Sequence, residues 1–227
     1  MNTNLKQAFR HLRKDKTNTL INILGLTLGF SIVAVLTVFL INELSYNSSV
    51  KKRSRIYRVL NYDENTQKTW AASPYVLGEY AKEHIAGIDA FTHNTGQFSV
   101  KVKKGDEFIK EKEAICANAS FFDMFSVKLL QGKATDDFDQ AENKMFISKS
   151  LANKYFDKED VVGKELIINI KKKEKNMQIA GVFDDIPNNS SLKANMIFSM
   201  KFDYEKMKTS IISVGAVQDF NKLYYSW

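Results

Sequence analysis

Residues 20–41 read LINILGLTLGFSIVAVLTVFLI, 22 positions with no charge, no proline and a single amide, Asn22. At about 1.5 Å of rise per residue this makes roughly 33 Å of helix, enough to cross a hydrocarbon core of about 30 Å. A helix in a water-soluble core would carry a polar stripe along one side. A cleaved signal peptide has a shorter apolar run, about 7–15 residues, ahead of a small-x-small cleavage site. Here NELSY follows the run and offers no such site. The stretch predicts an uncleaved membrane-spanning helix.

The flanks give it a direction. Residues 1–19 hold Lys6, Arg10, Arg13, Lys14 and Lys16 against one acid, Asp15, while NELSYNSS after the span has no basic residue before Lys51. The positive-inside rule then keeps the N-terminus cytoplasmic and sends everything after Asn42 across the membrane. Leu5, Ala8, Phe9 and Leu12 recur at helical spacing among those five cations, which predicts a short basic amphipathic helix on the inner leaflet. Within the span, Gly25 and Gly29 form a G-x-x-x-G pair, a candidate surface for close approach of another helix.

Charge and cysteine content narrow the rest. The formal net charge is +7, much of it in residues 1–19, so the remainder is nearly balanced and gives no basis for a nucleic-acid partner. A lone cysteine, Cys116, excludes an intrachain disulfide and sits in apolar sequence, as a small buried hydrophobe would. The exported segment must therefore stand on its hydrophobic core, for which its length is ample.

That segment alternates short strand and helix patterns, so the fold class is α+β: a transmembrane helix followed by a mixed α/β domain. The helix is expected to run on to about Tyr46, with a strand over RIYRVLNY (55–62). Pro74 opens a helix over YVLGEYAKEHI (75–85), and IDAFTHN (88–94) is a strand candidate. QFSVKVKK and EFIKEKEAICA flank Gly105-Asp106 as a hairpin, SFFDMF is a helix capped by Ser120, and Asp136–Gln140 reads as a polar loop. KMFIS is a strand, Ser148 opens the helix KSLANKYF, and ELIINI and KNMQIAGVFDD pair around the basic tip KKKEK (171–175). IPNNSSL is a turn cluster and ANMIFSM a final strand. Phe121, Phe122 and Phe125 are placed in the core. The boundaries follow: 1–19 cytoplasmic, 20–46 span with extension, 47–227 exported domain.

No catalytic, cofactor or metal site is expected. Neither Gly132-Lys133-Ala134 nor Gly163-Lys164-Glu165 completes a phosphate-cradling G-x-x-x-x-G-K-[ST], and no G-x-S-x-G is present. His11, His84 and His93 are spread apart without a ligand pattern, and the pairs Asp136-Asp137 and Asp184-Asp185 lie in turn-like sequence.

Several ordered blocks carry a family resemblance. LRKDKTNTLINILGLTLGFSIVAVLTVFLINELSYN with RIYRV, then ANASFFDMFSVKLLQGKA, MFISKSLANKYF, VVGKELI and IAGVFDDIPNNSSL, resemble the MacB-like/FtsX-like ABC transporter permeases in their first helix and periplasmic core domain. The resemblance implies a bacterial inner-membrane protein, N-terminus cytoplasmic and main domain periplasmic, acting as a permease dimer with a separate cytoplasmic ABC ATPase. It also implies periplasmic or outer-membrane export partners and mechanical transmission of ATP hydrolysis. Such permeases carry further spans, so the chain is expected to be the N-terminal part of a longer protein. The alternative left open by the residues is a single-pass anchored extracytoplasmic sensing or binding module.

Overall fold

The structure is a computed structural model that describes residues 14, 16–64, 67–70, 77–156, 160–170 and 173–202. The chain divides into two units, Met1–Tyr46 and Asn47–Trp227.

The first unit is dominated by α1 (Lys16–Leu44), 29 residues or about 43 Å of helix with no buried residue. It is long and apolar enough to cross a membrane. Two of its hydroxyls are satisfied within the helix: Ser31 Oγ donates to Thr27 O and Thr37 Oγ1 to Val33 O, each at 2.7 Å. Hydroxyls bonded to the carbonyl one turn back leave no unpaired donor facing an apolar surround. The regular helix stops at Leu44, short of the expected Tyr46. The amide of Tyr46 turns back to Glu43 O at 3.1 Å, and Asn47 takes a left-handed φ of 56°.

In the second unit, β1 (Asn61–Asp63) and β2 (Lys68–Trp70) form a small antiparallel ribbon, followed by α2 (Leu77–His84). The strand expected over 55–62 pairs only from Asn61 onward, and Tyr57 before it is 86% exposed. Residues 71–76, with Pro74, lie outside the described residues. IDAFTHN makes a single bridge, Asn94 to Ala117, in place of a strand. Its backbone is claimed by side chains instead: the His93 amide donates to Asn118 Oδ1 at 2.9 Å.

The main sheet is built from β3 (Phe98–Lys104), β4 (Glu107–Cys116), β5 (Leu129–Gly132), β6 (Lys144–Ser148), β7 (Glu165–Ile170), β8 (Lys173–Phe183) and β9 (Met196–Phe198). Six of these strands close on themselves: β8 pairs with β6, then β9, β4, β3 and β7, and β7 returns to β8. The first residues of β8 bond to β7, and its last three, on the same edge, to β5. The β3–β4 hairpin turns at Gly105-Asp106 with Gly105 at φ 61°, as a type II′ turn requires of its first residue.

Because successive side chains point to opposite faces, strands buried on both sides read as unbroken apolar runs. In β6, Met145 and Ile147 enter the barrel interior while Phe146 enters a second core outside it; in β9, Met196 and Phe198 face inward and Ile197 outward. The interior cluster is completed by Leu151 and Ala152 of α5 (Lys149–Phe156), whose start is capped by Ser148: its Oγ accepts from Leu151 N at 3.2 Å.

The outer core holds α3 (Ser120–Met124) and α4 (Asp136–Asp139) against the sheet through Phe121, Phe122 and Phe138. Two expectations change here. Ser120 does not cap α3; its Oγ donates to Phe91 O at 2.7 Å, and the capping position is Ala119. The loop at Asp136–Gln140 is a helical turn, because Phe138 is buried and Asp139 Oδ1 accepts the Ala119 amide at 2.7 Å. Burial raises the Asp139 carboxyl pKa despite hydrogen bonds that lower it. Gly132 sits at φ 77°, where a Cβ would collide with Ala180 O, so this position accepts only glycine.

Phe146 packs on Phe122 and Phe138 at ring distances of 4.6 and 4.8 Å. Phe146→Ala is expected to cost about 3–5 kcal/mol in chemical unfolding with an unchanged denaturant slope; a cost below about 1 kcal/mol would show that this aromatic core does not hold the sheet.

Candidate functional site

The densest polar contact of long sequence separation lies at the root of the second unit, where its chain begins. Asn47 leads into a turn, and its left-handed backbone is tolerated by an amide side chain better than by a branched one. Its N–H donates to Asn189 O at 2.8 Å. Its Oδ1 accepts from Ser191 N at 2.8 Å, Ser191 Oγ at 3.0 Å and Ser190 Oγ at 3.4 Å. Ser190 is buried, and its Oγ also accepts the Leu192 amide at 3.2 Å. One asparagine thus organises a turn 143 residues away in sequence. Three residues on, Val50 is buried and the Lys51 amide donates to Ser126 Oγ at 3.1 Å.

The other side of the same 185–195 stretch lines a polar cleft of about 470 Å³ with Glu113 and Ser150. Asp185 closes one wall by accepting Ser150 N at 3.0 Å and Ser150 Oγ at 2.7 Å, at the start of α5. Lys193 Nζ donates to Asn188 O at 2.7 Å. Glu113 takes a φ of 63° where the β3–β4 register slips. Its carbonyl accepts the Asn195 amide at 2.9 Å.

A third cluster lies on the barrel. Glu111 is 7% exposed, and its Oε1 accepts Lys154 Nζ and Tyr155 OH, each at 2.6 Å. Burial first, then the hydrogen bond to Glu111 and its charge, push the Tyr155 phenol well above its ordinary range, so it remains a donor. The arrangement fastens α5 to β4 and contains no nucleophile beside a base. Among the described residues no group of three His, Cys, Asp or Glu could hold a metal ion.

The residues singled out in the sequence fall elsewhere. Gly25 and Gly29 lie one turn apart on α1 with open space around both. Lys14 and Lys16 are exposed; Lys6, Arg10 and Arg13 lie outside the described residues, as does the amphipathic segment they belong to. Cys116 is buried and reduced, and His93 is buried with its Nδ1 at 3.0 Å from Asn118 Oδ1. The root contact was not anticipated. An asparagine just past a helix end is a readable left-handed stop signal, but nothing local names its partner.

Residues 19–217 match the family model of the MacB-like periplasmic core domain. No curated protein matches. Among solved structures, the chain is similar to a domain assigned to a permease protein from Porphyromonas gingivalis, with 29% identity over 59% of this chain and 60% of that one, TM-score 0.49. It is also similar to the periplasmic region of MacB from Actinobacillus actinomycetemcomitans, with 17% identity over 71% and 74%, TM-score 0.49. The extracellular domain of the noncanonic ABC-type transporter YknZ from Gram-positive bacteria is similar at 17% identity over 66% and 74%, TM-score 0.47.

The root contact makes two substitutions separable. Asn47→Ala loses both the acceptor and the tolerance for a left-handed backbone, so a cost of about 2–4 kcal/mol is expected, whereas Asn47→Gly keeps the backbone and costs about 1–2 kcal/mol. A double-mutant cycle with Ser191→Ala in thermal unfolding measures the side-chain share; zero coupling between the two positions would remove Asn47 as the organiser of the turn.

Proposed function

The chain belongs to the family of the MacB-like periplasmic core domain, and from that premise we propose that it supplies the first membrane helix and the extracytoplasmic domain of an ABC transporter permease. The observation that carries the reading is the root contact. Only Ser45 and Tyr46 separate the last residue of α1 from Asn47, which is bonded by both backbone and side chain to the 189–191 turn. In this reading the short connection carries a displacement of the helix end to the domain. In this reading a cytoplasmic ATPase on a separate subunit drives the helix, and the domain converts the movement into export or envelope-associated transport.

The remaining assignments follow the same logic. Residues 1–19 are the cytoplasmic segment, held in place by Lys6, Arg10, Arg13, Lys14 and Lys16; residues 20–46 span the membrane; and 47–227 stand outside it. The face carrying Gly25 and Gly29 is the packing surface toward a second permease helix, since two glycines one turn apart admit a close backbone approach. The polar cleft beside Asp185 and Glu113 is the one observation that favours a single-pass sensing module instead.

Two measurements test this. The full-length protein, affinity-purified from its native membrane, is expected to bring down a transport ATPase, and Asn47→Ala is expected to abolish transport while leaving ATP hydrolysis by the assembly within about twofold. Purification without an ATPase, together with ligand binding in the cleft, would replace the permease reading by the sensor. Separately, Asp106→Cys at the hairpin tip is expected to react with a membrane-impermeant maleimide in intact spheroplasts and Lys14→Cys only after lysis; the opposite pattern would reverse the orientation.

A further inference from the structure

The run KKRSRIYR at 51–58 contains five cations, Lys51, Lys52, Arg53, Arg55 and Arg58, and no acid. All five are exposed. Interleaved with or following them are large apolar side chains that the fold leaves uncovered: Tyr57 is 86% exposed, Val59 and Leu60 each 55%, and Tyr62 52%. None of these joins either hydrophobic core. The run is nonetheless held in place. Val50 is buried at its start, the Lys51 amide donates to Ser126 Oγ, residues Arg53–Arg55 form a 3-10 turn, and Arg55 pairs with Asp89 at 2.5 Å.

We propose that residues 51–62 form a second membrane-contacting surface that binds anionic lipid headgroups of the leaflet on the C-terminal side of α1. The proposal rests on the reading of α1 as a membrane span. Lys51 is seven residues beyond Leu44, at most about 25 Å of extended chain, and the turn at 45–49 shortens that further. The headgroup layer is therefore within reach. Its chemistry also matches: lysine and arginine meet lipid phosphates, tyrosine rings settle at the boundary between headgroup and acyl chain, and Val59 and Leu60 enter the acyl side. A soluble protein partner would account for the apolar residues, but not for an acid-free run of cations placed so close to the span. Such a run on the exported side works against the positive-inside bias that orients the helix, so topology does not account for it.

The test uses the full-length chain in lipid nanodiscs, with a nitroxide spin label at Ile32→Cys or at Tyr57→Cys, in phosphatidylcholine alone or mixed equally with phosphatidylglycerol. Oxygen reaches labels in the acyl region, and a water-soluble nickel chelate reaches those in solvent; buried Cys116 is checked in a chain lacking the added cysteine. The label at 32 is expected to be oxygen-accessible in both lipids. The label at 57 is expected to be oxygen-accessible with phosphatidylglycerol and nickel-accessible without it. High salt, or Lys51→Gln, Lys52→Gln and Arg53→Gln together, is expected to restore nickel access. A label at 57 that is nickel-accessible in both lipids overturns the lipid surface while leaving the span intact. A label at 57 shielded from both reagents overturns it in favour of a protein cover. A nickel-accessible label at 32 overturns the span itself, and the proposal with it.

Discussion

Burial of both faces of the same strands is the constraint from which the second unit is built. β6, β8 and β9 each send alternate side chains into the barrel and into the aromatic layer outside it, so neither core can form without the other. That requirement explains why a closed ring of six strands carries helices on its outside. Phe146 and Ile197 would be stranded in water if α3 and α4 were not brought over them. It also places the polar contacts at the margins. Glu111 with Lys154 and Tyr155 ties α5 to β4, Asp185 with Ser150 ties the segment after β8 to the start of α5, and Asn47 holds the 189–191 turn that precedes β9.

The margins are where a functional reading has purchase. The cleft and the root contact share one loop: residues 185–188 and 193–195 line the cavity, and 189–191 grip Asn47. Few residues separate the two.

Much of this was legible in the sequence. The long apolar helix announced itself by length and by absence of charge. The Gly105-Asp106 hairpin, the Ser148 cap and the pairing of ELIINI with the following strand are all local patterns, and all formed. The misses have a common cause. At Asp136–Gln140 four polar residues outvoted Phe138, whose burial depends on rings contributed from elsewhere in the chain. At Ser120 the hydroxyl had two competing acceptors, and the distant Phe91 carbonyl won over the local cap. At IDAFTHN the strand candidate makes one bridge only, since Asn118 had taken the His93 amide, and of its residues His93 alone is buried. Closure of the ring was beyond local reading, because it depends on parallel pairing between strands far apart in the chain.

The hydroxyls of α1 have a consequence for how the helix keeps company. With Ser31 and Thr37 turned back onto their own backbone, the polar side-chain groups that residues 20–41 still offer a neighbour are the Asn22 amide and the Thr27 hydroxyl. Asn22 lies one turn before Gly25 on the same helical face, so a helix approaching along the two glycines would meet one directional group there and otherwise rely on shape. On such a face one amide sets the register and the glycines set the distance.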